Sequence, residues 1–199
     1  LHSHFGALLF DIVAGPRCDR ATVERLEQYV HSLEAEPLIL KKEYPGYVFN
    51  ALLGAVLSAA KWQVITDGVA FEDIDRAWMA TFSAPLGPFA LMDLFGLDVV
   101  HDSWQEQRDD PLRQQRQLGV LTFLQSYLDA GRLGRKTGAG FYQYPDAAFM
   151  QIGFSDRFEP RFIEPLLRAL FETATKIEAE GVAERADIDR AWRTALGMS

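Results

Sequence analysis

Hydrophobic positions in the first 43 residues follow the pattern of a strand, a helix and a second strand. Residues 7–13 form a short apolar run rich in branched side chains, and residues 37–41 form another. Between them, Asp19 can cap a helix that extends to about Leu33, with apolar residues at helical spacing. Such a βαβ unit requires a parallel sheet. Because two strands are too few for a stable sheet with both faces covered, we interpret residues 1–43 as the end of a larger α/β domain.

From residue 44 onward the pattern becomes helical. Residues 47–66 are apolar around most of the helix circumference, which predicts a central helix that begins after Pro45 and stops at Asp67-Gly68. The polar stretch 105–117 is predicted to be a surface loop with helical ends. Further helices are predicted at 71–81, 89–104 and 118–130, followed by a glycine-rich loop at 132–144. The expected fold class is therefore mainly α, preceded by the βαβ segment.

The last part of the chain partly repeats the central part. The segment Gly68-Val-Ala-Phe-Glu-Asp-Ile-Asp-Arg-Ala-Trp78 recurs, with one inserted residue, as Gly181-Val-Ala-Glu-Arg-Ala-Asp-Ile-Asp-Arg-Ala-Trp192. A long apolar helix precedes each copy, and the two glycines are 113 residues apart (181 − 68). Two copies of a helix pair predict packing about a pseudo-two-fold axis. We therefore divide the chain into residues 1–43, a helical domain at 44–148 and a partial second repeat at 149–199.

Asn50 is an amide at the start of the otherwise apolar central helix. A buried amide without hydrogen-bond partners costs about 1–3 kcal/mol, so Asn50 must be satisfied by protein, water or ligand. Sliding the two copies by 113 residues places Ile163 opposite Asn50, so the second copy keeps the packing face but lacks the amide. Since a purely structural amide would be expected in both copies, this favours a functional site. The structural alternative is an amide that bonds to the preceding loop.

Composition narrows the possible classes of function. The net charge of −8 and the pI of about 5.0 argue against nonspecific nucleic-acid binding, which needs a basic face. No uninterrupted apolar run reaches the roughly 20 residues of a membrane span, and nothing resembles a Cys/His metal cluster. The single Cys18 excludes an internal disulfide and favours a cytoplasmic setting. Basic residues at Lys41-Lys42 and within 132–136 could bind a small anionic ligand or could be solvated loop charges.

Several titratable residues receive structural interpretations. Asp73 and Asp75 occur at a helix start, as do their counterparts Asp187 and Asp189, so all four are interpreted as residues that cap a helix and complement its dipole. His101 follows two valines and is interpreted as a surface or cap histidine rather than a base.

Five blocks in a fixed order resemble the 3-hydroxyacyl-CoA dehydrogenases. The blocks are, in chain order, Lys42-Glu-Tyr-Pro-Gly-Tyr-Val-Phe-Asn50, Gly68-Val-Ala70, Asp73-Ile-Asp75, Pro85-Leu-Gly-Pro-Phe-Ala-Leu-Met-Asp93 and Gly131-Arg-Leu-Gly-Arg-Lys-Thr-Gly-Ala-Gly-Phe-Tyr142. Their order and spacing are similar to the helical carboxy-terminal domain of that family, and the resemblance covers roughly residues 8–146. The later repeat resembles a second, partial copy of this domain in longer members.

The resemblance implies a two-domain oxidoreductase of fatty-acid metabolism and β-oxidation. In such proteins an amino-terminal Rossmann domain binds NAD, while the helical domain completes the acyl-CoA pocket and forms the homodimer interface. The implied reaction is the reversible oxidation of an (S)-3-hydroxyacyl-CoA to the 3-ketoacyl-CoA. A histidine takes the hydroxyl proton, a carboxylate orients the histidine, and an asparagine helps to hold the substrate. These roles suit the side chains, because histidine titrates near neutral pH and an amide stabilises developing charge without titrating.

By position, the resemblance implies His4, Asp11 and Asn50 as catalytic residues, with His2 as an alternative base. Asp11 stands where the family more usually has Glu. The family separates its histidine from the carboxylate by a longer spacer than the seven (11 − 4) or nine (11 − 2) residues found here. Either this loop is shorter in the protein, or residues are missing between Phe5 and Gly6.

A Rossmann first half is absent from the sequence, since no Gly-x-Gly-x-x-Gly follows a strand. Gly134, Gly138 and Gly140 lie in a late loop without a strand-to-helix context, and we interpret this loop as a structural turn. We therefore expect NAD to be bound mainly by a domain outside this chain, which alone should be inactive. The alternative is a non-catalytic dimerisation or acyl-CoA-binding module, which the short His-to-Asp spacing favours.

Overall fold

The protein is mainly helical, with a parallel βαβ segment at its start, as predicted. The structure is a computed structural model that describes residues 8–105 and 111–196. Within these ranges the elements are β1 (Leu9–Val13), α1 (Arg20–Ser32), β2 (Glu36–Leu40), α2 (Phe49–Asp67), α3 (Phe71–Phe82), α4 (Pro88–Phe95), α5 (Leu97–Asp102), α6 (Pro111–Asp129), α7 (Glu164–Ala179) and α8 (Arg185–Leu196). Short 3₁₀ turns occur at Arg135–Thr137, Ala148–Met150 and Pro160–Phe162.

The βαβ segment forms as its apolar pattern predicts. β1 and β2 pair in parallel over all five positions of each strand. α1 packs against both strands, and its Val30 lies in a small buried cluster with Ile12 and Ala35. Asp19 caps α1, since its carboxylate accepts the backbone N–H of Thr22 at 2.6 Å. This bond satisfies one of the N–H groups that the first turn of a helix leaves free.

Contacts divide the chain into two compact units. One unit, here called the terminal unit, combines the residues up to Val56 with those from Leu167 onward. The other, the central unit, is Leu57–Leu166. In the terminal unit α8 packs against β1 and β2. The predicted domain boundaries and the pseudo-two-fold packing of the two copies stay predictions.

The central helix α2 is close to its predicted position but begins two residues later. Its side chains Leu52, Val56 and Ala60 are almost completely buried, as expected for a helix that is apolar around most of its surface. The helix ends at Asp67, and Gly68 follows with φ +65°. Glycine is favoured there because the left-handed region carries no Cβ penalty for it.

Two predicted boundaries are wrong. The single helix predicted at 89–104 is two helices, α4 and α5, which Gly96 separates with φ +99°. This positive φ is strained for a residue with a Cβ, so the break favours glycine. The second error is the loop predicted up to residue 117, because α6 already begins at Pro111, a residue that suits the first helical position.

Candidate functional site

Asn50 lies in the first turn of α2 and is exposed. The expectation of a buried amide is therefore wrong. The two preceding residues, Val48 and Phe49, enter the core, while the next position on the helix points outward. An exposed amide can be satisfied by water and can exchange that water for a ligand. This accessibility is what a substrate-contacting side chain needs.

A tight turn leads into the helix that carries Asn50. The backbone N–H of Tyr47 donates to Tyr44 O at 2.8 Å, and the chain between them passes through Pro45 and Gly46. Gly46 has φ +78°, and a Cβ there would lie 3.0 Å from the backbone N of Ala51. Tyr47 also lies in the left-handed region, with φ +51°. For a residue with a Cβ this conformation costs about 1–2 kcal/mol, so the surrounding structure must hold it.

Asp11 lies in the middle of β1, opposite Leu38 of β2, and is half-buried. Because successive side chains of a strand point to opposite faces, Asp11 shares a face with Leu9 and not with Ile12, which packs on α1. Asp11 and Asn50 belong to the same compact unit. His4 and His2 lie outside the described residues, so the histidine–aspartate pair stays a prediction.

The two basic clusters already have partners within the chain. Lys41 pairs with Glu184, and Lys42 lies 3.7 Å from Glu180. In the second cluster, Lys136 Nζ lies 2.6 Å from Asp98 Oδ2. These acids compensate the charges of the three lysines, so the contacts do not favour an anionic-ligand site at Lys41-Lys42.

Asp75 is completely buried in the central unit. Its carboxylate accepts the backbone N–H groups of Phe89 at 2.8 Å and Ala90 at 3.0 Å, and the hydroxyl of Tyr142 at 2.9 Å. Asp75 thus caps α4, whose own N-cap residue is Gly87 and has no side chain. Burial raises the pKa of Asp75 to about 7, although the three hydrogen bonds oppose that shift. The interpretation of Asp75 as a cap of its own helix is wrong, because it caps the next one.

Asp93 is a second buried carboxylate, and it holds the glycine-rich loop. It accepts the backbone N–H groups of Phe141 at 2.8 Å and Tyr142 at 2.9 Å, and the hydroxyl of Tyr144 at 3.1 Å. Burial raises the pKa of Asp93. A Cβ at Gly140 would lie 2.0 Å from Asp93 Oδ1, so this glycine is needed to admit the carboxylate. The loop is therefore built around an internal carboxylate.

These two buried aspartates and their glycines lie in the region that the comparisons with known proteins identify. Residues 46–144 match the family model described as "3-hydroxyacyl-CoA dehydrogenase, C-terminal domain". The chain belongs to this family. The resemblance carried by the five blocks is thus confirmed.

Individual relatives agree with this family membership. The chain is 32% identical over 139 residues to a 3-hydroxybutyryl-CoA dehydrogenase of Mycobacterium tuberculosis, covering 68% of this chain and 47% of the relative. It is 31% identical over 140 residues to the human mitochondrial hydroxyacyl-coenzyme A dehydrogenase, covering 68% and 43%. The crystal structure of a 3-hydroxybutyryl-CoA dehydrogenase from Escherichia coli shares the fold, with a TM-score of 0.73 over 98% of this chain and 60% of that one. At 20% identity this last likeness shows the fold alone.

The chain spans about half the length of the curated relatives it matches. The glycine-rich loop at 132–144 does not fit the NAD that the family resemblance implies. Dinucleotide phosphates are bound by free backbone N–H groups of a glycine-rich turn. Here the N–H of Gly134 donates to Ala139 O, and the N–H of Gly140 donates to Tyr142 O, both at 2.8 Å. These two N–H groups are therefore not free to bind a phosphate.

Sequence reasoning missed two buried basic side chains in the dehydrogenase domain. Lys61 of α2 is 1% exposed, with its Nζ 3.7 Å from Met92 Sδ and 5.3 Å from the centroid of the Trp104 ring. Burial lowers the pKa of Lys61 to about 7. His101, interpreted as a surface or cap histidine, is also mostly buried and faces Gln105. The only signal for Lys61 was a lysine inside an otherwise apolar helix.

Across the described ranges no three His, Cys, Asp or Glu residues are grouped as a metal site would require. The helices in those ranges are also too short or too polar to cross a bilayer.

Proposed function

We propose that this chain is the carboxy-terminal part of an NAD-dependent (S)-3-hydroxyacyl-CoA dehydrogenase that forms the substrate side of the active site. The single observation that carries the proposal is the exposed Asn50 at the start of α2, behind a turn with two left-handed residues. This amide lies within residues 46–144, which match the family domain. The sequence resemblance implies that Asn50 corresponds to the family asparagine. The reaction is the oxidation of a 3-hydroxyacyl-CoA to the 3-ketoacyl-CoA.

In this proposal each candidate residue has a separate task. Asn50 donates an amide N–H to the oxygen on C3 of the substrate and stabilises the charge that develops there. His4, with His2 as the alternative, accepts the hydroxyl proton. Asp11 accepts a hydrogen bond from the other ring nitrogen, which fixes the tautomer and stabilises the imidazolium. Because Asp is one methylene shorter than the family's usual Glu, the histidine must approach β1 more closely.

The competing proposal is a non-catalytic acyl-CoA-binding or dimerisation module. The observation that favours it is the spacer between the candidate histidine and Asp11, which is shorter here than in the family. An acyl-CoA-binding module would share the ligand, so only turnover by this chain joined to an NAD-binding domain separates it from the enzyme. A pure dimerisation module would not bind the ligand at all.

Calorimetric titration of the chain with 3-hydroxybutyryl-CoA tests the proposal. The wild type should bind it more tightly than free CoA, and Asn50→Ala should weaken binding roughly tenfold, the effect of losing one hydrogen bond to a charged or polar ligand group. Gln28→Ala removes an exposed amide from α1 in the same unit and should leave binding unchanged. Equal effects of the two substitutions, or no binding by the wild type, would contradict the proposal.

An activity assay completes this test. The chain alone should not reduce NAD in the presence of 3-hydroxybutyryl-CoA, because the residues that hold NAD lie elsewhere. Steady turnover by the chain alone would show that this assignment of the cofactor site is wrong.

We further propose that the protein forms a homodimer and works in the cytoplasm. The family resemblance supports the dimer, and the single exposed Cys18 suits a reducing compartment. Since the name of the human relative places that protein in mitochondria, the compartment needs its own test by cell fractionation. Sedimentation of the purified chain tests the dimer, and a monomer at micromolar concentration would argue against it.

A further inference from the structure

The segment that joins β2 to α2 is held at its start by the second copy, defined here as residues 164–196. The backbone N–H of Lys41, just after β2, donates to Val182 O at 2.9 Å. The side chain of Lys41 pairs with Glu184, and that of Lys42 lies 3.7 Å from Glu180. Three contacts therefore fix the chain immediately before the turn.

The second copy also holds the segment just after the turn. The ring of Phe49, the first residue of α2, lies 6.0 Å from the ring of Trp192 on α8. Both side chains are buried, at 1% and 7% exposure. Phe49 directly precedes Asn50, so this ring contact lies at the first turn of α2.

Between these two attachment points lies the turn with Gly46 and Tyr47 in left-handed conformations. A left-handed aromatic residue persists only where the surrounding structure over-determines its backbone. Within the turn, one backbone hydrogen bond joins Tyr47 to Tyr44. The contacts on both sides of the turn supply further constraint.

The equivalent tryptophans of the two copies each contact an aromatic ring. In the first copy, the Trp78 ring lies at 53° to the ring of Phe82 on its own helix, with centroids 4.6 Å apart. In the second copy, Trp192 contacts Phe49, which lies 143 positions earlier in the chain (192 − 49). The tryptophan of the partial repeat thus acts on the segment that carries the candidate site.

We propose that the second copy is a brace that fixes the position of Asn50, and that Trp192 is a positioning residue which acts through Phe49. The brace extends the proposed function, because it makes the partial repeat part of the substrate site. Only the expected effect of the brace on substrate binding rests on the proposed function. Its effect on the order of the first turn of α2 can be measured without substrate.

Hydrogen exchange of the full chain tests the brace directly. The amides of Ala51 and Leu52 donate to Gly46 O and Val48 O and report on the first turn of α2. In Trp192→Ala, the exchange rate of these two amides should rise about tenfold relative to the amide of Leu124 in α6, as expected when local opening becomes easier. Trp192→Phe keeps a ring against Phe49 and should restore most of the protection. If both amides keep their wild-type rates relative to Leu124 in Trp192→Ala, the proposal is overturned.

A surface charge pair provides a test that does not risk the core. Glu184→Lys removes the partner of Lys41 and should speed exchange at Ala51 and Leu52 by about two- to fivefold, the range for an exposed ion pair. Adding Lys41→Glu restores an opposite-charge pair and should return the wild-type rates. If the double variant exchanges as fast as the single variant, the brace does not act through this pair and the proposal fails.

Substrate binding separates this inference from the proposed function. Titration with 3-hydroxybutyryl-CoA should show weaker binding in Trp192→Ala than in Trp192→Phe, in the same order as the exchange rates. Absence of binding by the wild type would overturn the proposed function, while the exchange rates would still decide for or against the brace. Unchanged binding in a Trp192→Ala protein with fast exchange would show that the position of Asn50 does not matter to the ligand and would overturn the positioning role.

Discussion

The two copies of the repeated motif share a local structure but not an environment. In each copy a glycine follows the long helix with a left-handed φ, +65° at Gly68 and +68° at Gly181. In the next helix, Asp75 of the first copy is completely buried, whereas its counterpart Asp189 is exposed and lies 3.7 Å from Arg193. The same residue in the same motif therefore has opposite roles.

The burial of Asp75 arises from the segment that follows the first motif in the chain. After the first copy, α4 begins at Pro88 without a capping side chain, so its N–H groups need an acceptor, which Asp75 supplies. A motif therefore determines a helix and its local pairs, while the burial of its side chains is decided by segments that are distant in sequence.

The largest expected effect is the loss of the Asp75 carboxylate. Asp75→Ala leaves two backbone N–H groups and one hydroxyl without their acceptor, and we expect a loss of roughly 3–5 kcal/mol in the free energy of unfolding. Asp189→Ala removes only an exposed partner of Arg193 and should cost about 0.5 kcal/mol or less. Urea denaturation measures both. Similar losses at the two positions would show that the copies are equivalent after all.

Gly87 leaves room for the buried carboxylate of Asp75. Substitution of Gly87 should have the next largest effect on the free energy of unfolding. A Cβ there would lie 2.3 Å from Asp75 Cγ, so Gly87→Ala should force the carboxylate away from α4 and cost about 2–3 kcal/mol. A Cβ at Gly54, inside α2, would meet no heavy atom within 4 Å, and Gly54→Ala should stabilise the protein by up to about 1 kcal/mol. Thermal unfolding of both variants checks the contrast in sign, and a stabilising Gly87→Ala would contradict the role given to Asp75.

The sequence predicts the fold where local pattern is sufficient. The two strands, the helices α1 and α3, the Asp19 cap and the stop at Gly68 all follow from neighbouring residues and are confirmed. The burial of Asp75 could not be predicted in the same way, because its partners Phe89 and Tyr142 lie 14 and 67 positions away. One usable signal existed: the helix start at Gly87-Pro88 lacks a capping side chain, which indicates an acceptor from elsewhere.

In the candidate site, too, neighbouring residues predict the secondary structure but not the contacts with residues distant in sequence. The sequence predicts Asn50 at a helix start and Asp11 in a strand, and both lie there. It could not predict that Asn50 is exposed, since this depends on how Val48 and Phe49 enter the core. Nor could the contact between Trp192 and Phe49 be inferred from an apolar pattern, which gives the buried face of a helix but not its partner.

The copies also differ in a buried charge. This difference predicts that the free energy of unfolding depends on pH, with an effect between those of the glycine substitutions and of the exposed ion pairs. α2 contains Lys61, and the position 113 residues later in α7 is Ala174 (61 + 113). Burial lowers the pKa of folded Lys61 from 10.5 to about 7, so between these values the unfolded state binds more protons than the folded state. Stability should therefore rise as the pH increases from about 7 to 10.5. Lys61→Met should abolish this rise and should stabilise the protein at pH 7 by at least about 1 kcal/mol.

Lys176 in α7 provides the matched control for that titration. It is exposed and lies 3.9 Å from Glu180, so Lys176→Met should leave the shape of the stability profile unchanged. Urea unfolding of the three proteins between pH 7 and pH 10 measures the difference. Parallel profiles for the wild type and Lys61→Met would mean that Lys61 keeps its proton in the core, held by the Trp104 ring.

The smallest expected effect concerns an Asp–Arg ion pair that both copies form at the same place in the motif. Arg76 lies 2.6 Å from Asp73 in the first copy, and Arg190 lies 2.8 Å from Asp187 in the second, both at a spacing of three residues. Because such helix pairs contribute about 0.2–0.5 kcal/mol, Asp73→Ala and Asp187→Ala should lower the free energy of unfolding by small and nearly equal amounts. Increasing salt should weaken both effects, since the side chains are partly exposed. A difference of more than about 1 kcal/mol between them would mean that the environment also controls this local pair, and the separation between local structure and distant burial would no longer hold.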